Sequence, residues 1–217
     1  MTPHPTPKQK AIRMVNPYTF FSLVRRAGLC AVRSTLIALT LLASALTHAS
    51  DLSDALRSSE YVLLIRHAYA PGVGDPPNFT LADCKSQRNL NDEGRKQALR
   101  IGTWLKQQGV AAAQVYASPW CRCKDTAELM KFDGFKLEAS LASFFDDMSK
   151  AKESNMKLQQ FIAERIKTKG QQALILVTHH VNIYEYMGEN IGSGDMVLVK
   201  VNARGGAVSH QTIRRPD

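Results

Sequence analysis

Arg66 and His67 close the apolar run Tyr61-Val62-Leu63-Leu64-Ile65, and His179 closes a second run, Ala173 to Thr178. Neutral imidazole, with an ordinary pKa of about 6.5, is a nucleophile near neutral pH. It can be covalently modified and then pass the group to water. An arginine beside it stays charged and offers a planar fork of donors to an anion. One histidine at a strand end is usually a structural residue. Two of them, on separate strands and with arginine support, read as a pocket for attack on an anionic centre.

For these residues to meet, their strands must lie side by side. Tyr61–Ile65, Val115–Ala117, Phe135–Leu137 and Ala173–Val177 read as strands, with a terminal hairpin over 195–201 and 207–213. Asn91 is placed to cap a helix ending near Gln108, with Asp92 and Glu93 in its first turn. Further helices are expected at 51–58, 121–130, 151–168 and 182–189, the one at 151–168 with Met156, Leu158, Ile162 and Ile166 toward the core. Residues 69–89 form a long loop rich in Gly and Pro, and a loop of that length implies a binding or covering role. Strands alternating with helices predict an α/β three-layer sandwich around a mostly parallel sheet. Ligands in such sheets sit beyond the carboxyl ends of the strands, where Arg66, His67, Ser118 and His179 fall.

Residues 1–49 hold six basic and no acidic residues, and end in a short apolar stretch (35–46) followed by Thr47-His48-Ala49. This is the pattern of a secretory leader, and the apolar core is shorter than the ~18–20 residues of a membrane span. The expected domains are a leader, 1–49, and a single folded domain, 50–217, that is periplasmic or secreted. Contact with a membrane is expected only through an uncleaved leader. The formal charge falls from +9 for the chain to +3 for 50–217, once the six leader charges are removed. Nucleic-acid binding thereby loses its main support, while an anionic small substrate still suits the balance. In an exported chain one disulfide is expected, pairing Cys84 with Cys121 or Cys123 and tying a loop to the helix that carries Arg122. A zinc site built from these cysteines with His67 and His179 lacks the usual ligand spacing, so no metal or other cofactor is expected.

Four segments in order carry a family resemblance: Leu64-Ile65-Arg66-His67-Ala68, then Leu90-Asn91 with Gly94, Gln97 and Ala98. Ser118-Pro119 with Arg122, Asp125, Thr126 and Ala127 follows, and Val177-Thr178-His179 completes the set. Together they resemble the histidine phosphatase superfamily, with its phosphoglycerate-mutase-like fold, over roughly residues 60–200. Cys84, Arg88, Asn89 and the segment Trp120-Cys121-Arg122-Cys123 look like a small exported bacterial branch. The resemblance implies that His67 is the nucleophile, that Arg66 and Arg122 clamp the phosphoryl oxygens, and that His179 stabilises charge in the transition state.

One feature departs from the family pattern. Where many relatives carry a glutamate acid, this chain has Ser143 within Leu141-Ala142-Ser143-Phe144-Phe145. Asp146 is the first candidate for the proton donor and Asp75 the second. Arg88 either extends the anion site or is a solvated loop charge. His180 either contacts substrate or simply starts a helix, and Trp120 is expected in the core. Lys150, Arg165, Lys167 and Lys169 read as solvated surface. The expected activity is metal-independent hydrolysis of phosphomonoesters through a phosphohistidine, on a small phosphorylated metabolite or an envelope glycan phosphate. The alternative is a weakly active or inactive binder of phosphorylated envelope ligands.

Overall fold

The structure, a computed structural model, describes residues 51–217, so the expected leader at 1–49 lies outside the described residues. Six strands form one sheet: β1 (Tyr61–Arg66), β2 (Ala113–Ala117), β3 (Lys136–Leu137), β4 (Ala173–Thr178), β5 (Met196–Val201) and β6 (Ala207–Ile213), in the order β3-β2-β4-β1-β5-β6. The strands β3, β2, β4 and β1 run parallel to one another, while β5 is antiparallel to both β1 and β6. The expected α/β sandwich around a mostly parallel sheet is the architecture found.

Alternation along each strand divides the core between two faces. Leu63 and Ile65 of β1, with Ile175 and Val177 of β4, pack under helical residues 51–57 (α1), α2 (Asp92–Gln107) and α3 (Cys121–Leu129). Val62 and Leu64, with Leu174 and Leu176, pack under α4 (Ala151–Thr168) and α5 (His180–Met187). Burial on both faces is why β1 and β4 are continuous apolar runs rather than alternating ones.

The Asn91 side chain accepts from the Gly94 backbone N–H at 2.9 Å and caps α2 as expected. Gly94 also permits a close approach, since a Cβ there would stand 1.9 Å from the Tyr69 carbonyl oxygen. In this way α2 seats directly against the turn that follows His67.

Three expectations need correction. Met156 is 57% exposed, whereas Leu158, Ile162 and Ile166 are buried. At 3.6 residues per turn, position 156 falls nearly opposite 158. Lys169 is only 2% exposed, and its ammonium donates to the carbonyls of Leu56 (2.6 Å) and Gln172 (3.0 Å), so it is not a solvated charge. The helix expected from Asn182 starts at His180 and stops at Met187, where Gly188 takes up a left-handed conformation.

Candidate active site

Strand register brings the two histidines together. Arg66 pairs with Thr178 across β1 and β4, so the next residue on each strand is His67 or His179. The His67 N–H donates to the Thr178 carbonyl at 3.0 Å, and Ser118, leaving β2, donates to the Val177 carbonyl at 2.9 Å. The imidazole centroids of His67 and His179 are 5.5 Å apart. Three parallel strands therefore feed one rim, at their carboxyl ends.

His67 is 2% exposed, and its Nδ1 lies 2.8 Å from the Ala68 carbonyl oxygen. A carbonyl can only accept, so Nδ1 carries the proton and Nε2 keeps its lone pair. Burial, and then the positive charge of Arg122 with smaller effects from Arg88 and Arg66, hold His67 well below its ordinary 6.5; the bond to Ala68 opposes them. The ring is neutral at physiological pH. The turn beyond it is fixed: Ala68 N–H donates to Thr126 Oγ1 at 3.0 Å, and Tyr69 N–H to the buried Gln97 side chain at 2.8 Å.

His179 is also neutral, lowered by burial and then by His67 and Arg122. Arg122 Nη2 donates to its Nδ1 at 3.5 Å, which leaves Nε2–H to donate to Ser118 Oγ at 2.7 Å. Trp120 stands edge-on to this ring at 5.3 Å and donates from Nε1 to Asp75 at 3.0 Å. It belongs to the site rather than to a remote core. The signal for this was its place two residues before Arg122.

Arg122 is paired with Asp75 at 2.9 and 3.1 Å, with both side chains 4% exposed. Arg88 reaches the Gly74 and Ala70 carbonyls at 2.7 and 2.6 Å, and Arg66 the Ile191 carbonyl at 2.7 Å. The Nε groups of Arg66 and Arg122 are buried without an acceptor. Cys84 is joined to Cys121, resolving the open pairing, and Cys123 is a buried free thiol pushed by burial up to about 12. That disulfide removes two ligands from the zinc reading. Among the described residues no group of three or more His, Cys, Asp or Glu is arranged to hold a metal.

These side chains surround a cavity of about 230 Å³, which also takes in Arg88, His180 and Ser143, with Val73, Phe145 and Val181 as an apolar wall. Nothing in the sequence marked those three apolar residues as part of the site. Asp146 is not brought to the cavity. It is exposed at the corner of a turn closed by the Asp147 N–H and the Phe144 carbonyl at 3.0 Å, while Ser143 and Phe145 face inward. The expected first candidate for the acid is thus displaced by local chain direction. Asp75 lies inside the site but is fully engaged: Arg88 N–H and Arg122 reach one oxygen, and Trp120 and Arg122 the other. A neutral imidazole with an open lone pair, three guanidinium groups and a second imidazole can together attack and stabilise a phosphoryl centre.

Residues 62–149 match the model of the histidine phosphatase superfamily (branch 1). The fold is similar to the protein histidine phosphatase SixA complexed with tungstate, at 18% identity over 71% of this chain and 96% of that one, with a TM-score of 0.50. Phosphoserine phosphatase from Entamoeba histolytica, in complex with 3-phosphoglyceric acid, gives 15% identity, 72% and 97% coverage and a TM-score of 0.53. The mycobacterial glucosyl-3-phosphoglycerate phosphatase gives 10%, 72%, 98% and 0.53. No curated protein matches the chain in sequence. At such identities these likenesses are of fold.

Proposed function

This chain belongs to the histidine phosphatase superfamily, and from that premise we propose that it hydrolyses phosphomonoesters, with His67 carrying the phosphoryl group between substrate and water. The observation behind the proposal is the fixed tautomer of His67, whose Nδ1–H is held by Ala68 at 2.8 Å while Nε2 is left open among Arg66, Arg88 and Arg122. In the first step Nε2 forms a bond to phosphorus, and the ester P–O bond breaks with its electron pair on the departing oxygen. Water then attacks phosphorus, the P–N bond breaks and its pair returns to Nε2. The guanidinium groups of Arg66 and Arg122, which line the cavity, receive the phosphoryl oxygens. His179, held upright by Ser118, faces the same charge.

No step calls for a metal ion. A cavity of about 230 Å³ suits a phosphoryl group with a small leaving group: a phosphorylated metabolite or the terminal phosphate of an envelope glycan. The basic, apolar leader and the Cys84–Cys121 bond favour an exported protein, periplasmic or secreted, with residues 50–217 as the working domain. The test is hydrolysis of 4-nitrophenyl phosphate, with and without chelator. His67→Ala is expected to abolish turnover and chelator to leave the parent protein unaffected. Retained activity in the variant would sink the mechanism.

A further inference from the structure

Attack by His67 leaves an unanswered demand for a proton, because an alkoxide leaves poorly unless it is protonated. The titratable groups around the cavity can be taken in turn. Three donors, from Arg88, Trp120 and Arg122, make four hydrogen bonds to the oxygens of Asp75, which leaves no lone pair to carry a proton. Both nitrogens of His179 are engaged, by Ser118 and Arg122. The arginines stay charged. Ser143 accepts from the Phe145 N–H at 3.2 Å, and an aliphatic hydroxyl is no acid.

His180 remains. It lines the cavity together with Val73, Phe145 and Val181. Its ring is half-buried and rests on Tyr184, with centroids 6.1 Å apart. Nδ1 is closed off from solvent and has no hydrogen-bond partner, so exchange with the cavity falls to Nε2. A buried polar atom left unpaired is costly and calls for a reason.

We propose that His180 is the proton donor to the leaving oxygen and, once the alcohol has gone, the base that takes a proton from the attacking water. The proposal rests on the phosphohistidine reading of His67. In the first step the His180 imidazolium gives its Nε2 proton to the ester oxygen as the P–O bond breaks, and becomes neutral. In the second, water loses a proton to Nε2 as its oxygen bonds to phosphorus and the P–N bond opens. Alcohol and phosphate leave, and His180 is again protonated. Burial and Arg66 keep the ring of the empty site below its ordinary 6.5, which suits the base role; an entering phosphoryl dianion favours the imidazolium form needed first.

The test is the leaving-group dependence of kcat/KM over a series from phenyl phosphate to 4-nitrophenyl phosphate. His180→Gln is expected to lose about 10²-fold on phenyl phosphate, a typical worth for general acid catalysis, and markedly less on 4-nitrophenyl phosphate. In His180→Ala, added imidazole is expected to restore turnover of phenyl phosphate. Equal losses across the series, or no loss on phenyl phosphate, overturn the role of His180 alone. A parent protein that turns over no member of the series overturns the reading of His67 as well.

Discussion

Asp75 holds Arg122 from both carboxylate oxygens, at 2.9 and 3.1 Å, although 47 residues separate the two and each side chain is 4% exposed. The pair joins the long loop after β1 to the helix after β2, so the geometry of the phosphate clamp depends on a loop residue. Removing one partner of a buried pair typically costs ~3–5 kcal/mol. Asp75→Asn is therefore expected to lower the melting temperature and to weaken turnover equally for phenyl and 4-nitrophenyl phosphate. Selective loss on phenyl phosphate would make Asp75 the acid instead.

The same loop is fastened a second time by the Cys84–Cys121 bond, which spans a sequence separation of 37. Loop-closure entropy for that span corresponds to ~4 kcal/mol in the chain-entropy model. Gln87 adds to the fastening by accepting from the Cys121 N–H at 2.9 Å. Cys84→Ser, or reduction of the native protein, is expected to lower the melting temperature and raise KM, because Asp75 and Arg88 lose their anchorage. A KM unchanged after verified reduction would show that the loop holds its place without the bond.

Gly94 sits where α2 meets the turn after His67. A Cβ there would lie 1.9 Å from the Tyr69 carbonyl oxygen, and overpacking of this kind costs ~1–3 kcal/mol. Gly94→Ala is expected to lose both stability and activity, since the displaced turn carries the Ala68 carbonyl that fixes the His67 tautomer. Full activity in a stable variant would show that the turn can shift without consequence.

The neutral histidines also give stability a pH dependence with a definite sign. His67 and His179 are held well below 6.5 in the folded protein. As pH falls below 6.5 the unfolded chain takes up protons that the folded protein refuses, so stability drops from 6.5 downward and is insensitive to these groups above it. Melting temperatures of the parent and of His179→Gln, measured from pH 8 to 5, are expected to converge at the acid end. Parallel curves would contradict the assignment.

The sheet and the rim were legible because continuous apolar runs mark strands buried on both faces, and the run of β1 ends at Arg66-His67 as that of β4 ends at His179. Four motifs in order then located the clamp. The loop contacts could not be read in the same way. Asp75 and Asp146 are each a single acid near a turn, and only the path of the chain puts one against Arg122 and the other on the surface. Met156 is apolar but lies nearly opposite Leu158 on the helix, a phase that its apolar character does not carry. Lys169 is buried because two backbone carbonyls accept from it, a tertiary arrangement with no local signature. The apolar wall of Val73, Phe145 and Val181 comes from two loops and a helix start far apart in sequence.

The central claim is that phosphorus becomes bonded to His67. The most direct test is rapid quenching of the purified protein with a radiolabelled aryl phosphate, followed by peptide mapping under alkaline conditions that preserve phosphohistidine. Label on the peptide containing His67, absent from His67→Ala, is the expected result. Turnover with no label on that peptide, or label on any other residue, would contradict it.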